Sequence, residues 1–100
     1  MEGFEVVVFP VKGKIFKETI LKGHELPSLQ RLVGGLIEPV HLHNQYGQTD
    51  LTRLLSAFGM KMKRPMGLVN EEGLLYNLPK NPHFPTFVGT VVVINDKHFK

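Results

Sequence analysis

The chain of 100 residues contains no cysteine, which excludes disulfides, iron–sulfur clusters, cysteine zinc sites and a cysteine nucleophile. No hydrophobic run approaches membrane-spanning length. The N-terminus, MEGFEVVVFP, places acid before a short apolar run and lacks the positive start and cleavage site of a signal peptide. We therefore expect an intracellular protein that makes no membrane contact.

The formal net charge is +3, and the excess of positive charge lies in the second half of the chain. Residues 1–50 have five Lys and Arg against six Asp and Glu, and residues 51–100 have seven against three. The only basic cluster, Lys61, Lys63 and Arg64, is too small for a nucleic-acid surface but large enough to attract one phosphate group. A solvated loop is the favoured interpretation of this cluster, and we do not expect nucleic-acid binding.

Apolar residues make up 42% of the chain, which is typical of a folded globular domain. The uninterrupted runs Val6–Phe9 and Val91–Ile94 indicate strands that are covered on both faces. Residues 5–21 are predicted to form a β-hairpin that turns at Lys12-Gly13.

The stretch Leu29–His43 predicts a short amphipathic helix, a stop at Gly34-Gly35 and a strand over Leu36–His43. Pro39 indicates either a bulge or a strand at an edge of the sheet. A second copy of the chain could pair with such an edge, so we expect a homo-oligomer. A second short helix is predicted between Thr49 and Phe58.

A strand at Met66–Val69, a turn at Asn70–Gly73 and a returning strand at Leu74–Leu78 are predicted next. The fold class is α+β: a single domain over residues 1–100 with a small, mainly antiparallel sheet and two short helices packed on one face. The expected core comprises Val6, Val8, Leu29, Leu32, Val33, Ile37, Val91 and Val93.

Three segments, SLQRLVGGLIEPV, GLVNEEGLLYNLPKNP and FVGTVVVIND, together resemble a family of small uncharacterised proteins found in phages, mobile elements and large DNA viruses of algae. The resemblance covers most of the chain, while residues 44–63 depart from the family pattern as an insertion. It implies a viral or mobile-element accessory protein that acts in the host cytoplasm. It implies no catalytic residues, because the family is a domain of unknown function.

His41 and His43 have a spacing that a metal site can use, with His24, His83 or His98 as a third ligand. A polar surface pair is the more common occurrence, and we predict neither a metal nor a cofactor. Glu71-Glu72 could act as acid and base, but a solvated turn is favoured. Because no convergent catalytic constellation is found, the chain is not expected to be an enzyme.

The leading functional hypothesis is a protein that binds and sequesters a nucleotide-derived signal of the host. The alternative is an inhibitor that binds a host defence or regulatory protein. In the leading hypothesis basic and imidazole groups contact the phosphate and two asparagines contact polar edges of the ligand. The alternative role for the asparagines is to satisfy backbone groups in turns. The expected ligand-binding residues are His41, His43, Lys63, Arg64, Asn70 and Asn81.

Overall fold

In the part of the chain that the structure describes, the fold is an antiparallel sheet of five strands with two helices. The computed structural model describes residues 3–42, 48–60, 62 and 65–95. The elements are β1 (Gly3–Phe9), β2 (Phe16–Leu21), α1 (Glu25–Val33), β3 (Ile37–Val40), α2 (Gln48–Ser56), β4 (Pro65–Asn70) and β5 (Val91–Asn95). The strand order is β2-β1-β5-β4-β3, so the predicted α+β class and antiparallel sheet are confirmed. Neither helix in this part of the chain is long and apolar enough to cross a membrane.

The predicted hairpin is present, with β1 and β2 in register from Gly3↔Leu21 to Val8↔Phe16. Gly13 lies in its connection with a φ of 93°, a conformation that glycine adopts without a steric penalty. The apolar runs of β1 and β5 pair with each other at the centre, where Val7 opposes Val93. The runs Val6–Phe9 and Val91–Ile94 are buried on both faces, as their composition predicts.

Helix α1 ends as predicted at Gly34, whose φ of 82° is left-handed. The N–H groups of Gly34 and Gly35 both donate to the carbonyl of Gln30, at 2.8 and 3.0 Å, and so satisfy an otherwise unpaired helix-end acceptor. The helix begins earlier than the Pro27-Ser28 signal indicates. Its N-cap is His24, which makes no side-chain capping bond, and the Glu25 carboxylate accepts the N–H of Gly23.

The two helices pack on opposite faces of the sheet, so the prediction that they share one face is wrong. Leu29 and Val33 of α1 contact the face that presents Val6, Val8, Val92 and Ile94. Leu51 and Leu55 of α2 contact the face that presents Val7, Phe9, Val91 and Val93. The physical reason is that successive residues of a strand point to opposite faces, so an uninterrupted apolar strand needs cover on both.

The expected core is mostly correct. Leu32 and Ile37 are half-buried and pack at the margin of the α1 layer. The remaining six expected residues are buried, and they divide between the two faces: Val6, Val8, Leu29, Val33, Val91 and Val93.

Strand β3 is an edge strand, and the backbone nitrogen of its Pro39 points outward from the sheet edge, away from β4. The N–H of Glu71 donates to the carbonyl of Leu36 at 2.8 Å, and the register continues with Glu38↔Val69 and Pro39↔Leu68. Hydrogen-bonded pairs alternate along an antiparallel ladder, so Leu36 and Glu38 direct their backbone groups to β4 and Pro39 directs its own outward. The missing N–H of Pro39 is therefore one that a further strand would need.

The predicted strand at Leu74–Leu78 is wrong, because residues 71–77 form consecutive turns. The N–H groups of Tyr76, Asn77 and Leu78 donate to Glu72, Leu74 and Gly73 respectively, at 3.0 to 3.2 Å. Asn77 has a φ of 53°, which a strand does not accommodate. Local turn hydrogen bonds therefore replace the pairing that the apolar composition favours.

Candidate functional site

The side chain of Asn81 is fully buried and makes four hydrogen bonds to backbone groups. Its Nδ2 donates to the carbonyls of Phe9, at 2.7 Å, and Gly89, at 3.0 Å. Its Oδ1 accepts the N–H groups of His83 and Phe84, at 2.9 and 3.2 Å. These bonds use both donors and both acceptor sites of the amide. Asn81 thus fixes residues 81–89 to the end of β1 and has no capacity left for a ligand.

The side chain of Asn70, at the end of β4, also makes hydrogen bonds to backbone groups. Its Nδ2 donates to the carbonyl of Val33 at 3.3 Å, one of the acceptors that the last turn of α1 leaves open. Its Oδ1 accepts the N–H of Glu72 at 2.8 Å, the geometry of an Asx turn. Asn70 therefore joins the end of α1 to the start of the loop that follows β4.

That loop presents three consecutive large apolar side chains to solvent, which we call the apolar tip, Leu74–Tyr76. Their exposed fractions are 82% for Leu74, 72% for Leu75 and 62% for Tyr76. Single exposed apolar residues are ordinary, but an uninterrupted run is not expected unless something binds it. Leu36, which is 51% exposed, lies beside the base of the loop through its backbone bond to Glu71.

The base of the apolar tip is held on both sides. Gly73 is buried, and a Cβ there would come within 2.7 Å of the Val88 side chain. The Leu78 side chain lies directly over Gly89, where an added Cβ would meet its Cδ1 at 2.9 Å. The N–H of Gly89 also donates to the carbonyl of Pro79 at 2.7 Å. The tip is therefore presented from a packed base, which lowers the entropy cost of binding.

Three carboxylates lie near the base of the tip. Glu71 is exposed and Glu72 half-buried, while the exposed Glu38 lies two residues beyond Leu36 on β3. Residues 34–38 and 70–79 include these three acids and no Lys or Arg. The nearest basic residues along the chain are Arg31 and Lys80. The local charge is thus opposite in sign to the formal net charge of +3.

Of the predicted ligand-binding residues, the structure describes His41, Asn70 and Asn81, and it places His41 apart from the two asparagines. Asn70 pairs with Ile37, whereas His41 follows Val40, which pairs with Gly67. Three residues of a strand span about 10 Å, so His41 lies toward the opposite end of β4 from both asparagines. His41 is exposed. The other predicted residues, His43, Lys63 and Arg64, lie outside the described residues.

The histidines within the described residues do not form a metal site with neighbouring acids, since no group of three or more His, Asp or Glu is close enough there to hold an ion. His83 has a packing role instead. Its ring meets Phe9 edge-on at a centroid distance of 5.5 Å, beside the Phe9–Phe84 contact at 5.0 Å. His43 and His98 fall in parts of the chain that the structure does not describe.

Comparisons with known proteins find no match to this chain among family models, curated proteins or solved structures. The candidate site therefore stands on its own geometry. The sequence contains a signal for the apolar tip: a run of only three apolar residues is bracketed by Gly73 and by Asn77 and Pro79. Such a run is too short for a typical strand and has turn-forming residues on both sides.

Proposed function

We propose that the chain is a non-catalytic binding protein that recognises a partner protein through the apolar tip. The observation that supports this proposal is the exposure of Leu74, Leu75 and Tyr76 on a packed base. Aromatic and large aliphatic anchors that insert into a pocket supply most of the energy of many protein interfaces. Because its base is packed against Gly89 and Val88, the tip loses little conformational freedom when it binds.

This proposal corresponds to the second of the two functions expected from the sequence, an inhibitor of a host defence or regulatory factor. The resemblance to phage and viral accessory proteins supports a place in the host cytoplasm. Viral accessory proteins of this size commonly act by binding, which is an argument by analogy. The absence of an enzymatic role is part of the same proposal.

The test is site-specific photo-cross-linking in living cells that produce the protein. A photoreactive phenylalanine replaces Leu75 in one variant and Leu26 in a control. Leu26 is a matched control because it is a leucine 55% exposed, in the first turn of α1. We expect one dominant cross-linked protein from position 75 and none in common with position 26.

The cross-linked protein is then purified and its affinity measured by titration calorimetry. Leu75→Ser is expected to weaken binding by at least about tenfold, as an interface anchor does. Leu26→Ser should leave the affinity unchanged. If position 75 yields no specific product, or if Leu75→Ser binds as tightly as the wild type, the proposed function is wrong.

Sequestration of a phosphorylated small molecule remains a second proposal. It places the ligand near His41, His43, Lys63 and Arg64, and the exposed position of His41 is compatible with it. Calorimetry against cyclic nucleotides and ADP-ribose derivatives, with wild type, Arg64→Ala and His43→Ala, tests it. Micromolar binding that falls with rising salt and is weakened by both substitutions would support the site. An affinity that neither substitution changes would exclude it.

A further inference from the structure

We infer that the surface that receives the apolar tip is a concave apolar pocket with a basic rim on a different protein. This inference rests on the proposed function and adds the chemistry of the partner. The charged side chains at the edge of an interface, its rim, select partners and set association rates.

The rim on this chain is acidic. Glu71 and Glu72 precede the tip and are separated from it by Gly73, and Glu38 extends the acidic rim along β3 from Leu36. The only ion pair found among the described residues, Lys17 with Glu5 at 3.5 Å, joins β1 and β2, so none of the three rim carboxylates is paired there. Lysine or arginine at the edge of a partner pocket would find three acceptors around one apolar anchor.

A second copy of the chain is a poor occupant of this surface. Symmetric contact between two tips would bring two sets of rim carboxylates together, and like charges across an interface oppose association. The tip with Leu36 also presents only on the order of a few hundred Å² of apolar surface. A stable dimer buries roughly 800 Å² on each partner. The tip is therefore better suited to insertion into a pocket than to a flat symmetric contact.

A membrane surface is also disfavoured. The leucines and tyrosine could enter a lipid interface, but anionic headgroups attract segments flanked by Lys and Arg. Here two carboxylates, Glu71 and Glu72, precede the tip, and a single cation, Lys80, follows it after three uncharged residues. The same carboxylates that oppose lipid binding would strengthen contact with a basic protein surface.

The experiment uses the protein identified by cross-linking at position 75, produced in recombinant form, with the full-length chain. The variants are Glu71→Gln with Glu72→Gln, and Glu71→Lys alone. Glu18→Gln is the matched control, because Glu18 is a half-buried glutamate on β2, away from the tip. Affinities are measured at 50 and 300 mM NaCl.

We expect the double glutamine variant to bind roughly three- to tenfold more weakly at 50 mM NaCl, since each exposed ion pair contributes modestly. Its affinity should also depend less on salt than that of the wild type. Glu71→Lys should weaken binding further, and a Lys→Glu or Arg→Glu change in the cross-linked partner segment should restore it. Glu18→Gln should behave as the wild type.

The outcomes separate the inference from the function on which it rests. If Leu75→Ser weakens binding while the glutamate variants and salt leave it unchanged, the basic rim is wrong and the binding function stands. If position 75 gives no specific cross-link, both are overturned. Co-flotation of the wild type, but not Leu75→Ser, with phosphatidylcholine or phosphatidylserine vesicles would overturn both in favour of a lipid partner. Cross-links between two copies of the chain at position 75 would overturn the inference in favour of self-association.

Discussion

Replacing Asn81 with alanine should destabilise the fold severely. The substitution removes four buried hydrogen bonds, to Phe9, His83, Phe84 and Gly89. At about 1 kcal/mol of net stabilisation each, the loss of free energy of unfolding is roughly 4 kcal/mol. A small domain has only about 5 to 15 kcal/mol in total. Urea denaturation followed by far-UV circular dichroism measures the change.

A second substitution at the same position tests the hydrogen bonds of the Asn81 side chain while it keeps the side-chain volume. Asn81→Asp keeps the acceptor for His83 and Phe84 but turns an oxygen toward the carbonyls of Phe9 and Gly89. Those contacts disfavour the carboxylate, so the pKa of the new acid should rise above its unfolded value of about 3.9. The native state then holds its proton longer than the unfolded state, and stability relative to wild type should fall as pH rises above that value.

The comparison at pH 4 and pH 7 decides between explanations. An Asn81→Asp variant that is less stable at pH 7 than at pH 4, relative to wild type, supports the hydrogen-bond assignment. An Asn81→Ala loss below about 1 kcal/mol, the scale of an average substitution, would refute the view that this side chain anchors residues 81–89.

Other perturbations have smaller expected effects. Asn70→Ala loses two hydrogen bonds and should cost about 1 to 2 kcal/mol, with faster chymotrypsin cleavage at the apolar tip; unchanged cleavage would contradict its role as an anchor. Leu29→Ala, at a site 4% exposed, should cost about 2 to 5 kcal/mol, and Leu32→Ala clearly less; equal losses in urea would argue against the α1 packing. The backbone N–H groups of Glu25 and Gly23 lower the pKa of the Glu25 carboxyl below 4.5. The ionised carboxylate therefore stabilises the folded state above pH 4.5, and this stabilisation disappears as pH falls through the lowered pKa. Glu25→Gln should therefore lower the melting temperature more at pH 7 than at pH 3, and an equal decrease at both would reject the linkage.

Much of the fold can be predicted from local signals. Gly13, Gly34 and Pro39 mark the hairpin turn, the end of α1 and an edge strand because each residue type has a backbone requirement that little else satisfies. The uninterrupted valines of β1 and β5 indicate burial on both faces. Strands buried on both faces need a packed layer on each face of the sheet. The expectation that both helices share one face conflicts with this requirement.

The candidate site is harder to predict, because its character depends on long-range contacts. Asn81 contacts the carbonyl of Phe9, 72 residues away in the chain, and Asn70 contacts that of Val33, 37 residues away. Nothing in the local sequence distinguishes such a buried asparagine from one that faces a ligand. The exposure of Leu74–Tyr76 is similarly a property of the packed base formed by Gly73, Leu78 and Gly89.

The proline of β3 limits what kind of aggregate the sheet can form. The two edges of the described sheet are β2 and β3, and Pro39 leaves the outer side of β3 without a donor where an added strand would need one. Growth into a fibril requires every added chain to offer two competent edges, one to join and one to extend. A chain with only β2 available can join one neighbour and no more. Pro39 thus opposes edge-to-edge polymerisation, and a Pro39→Thr variant would restore the backbone N–H that a strand added to β3 needs.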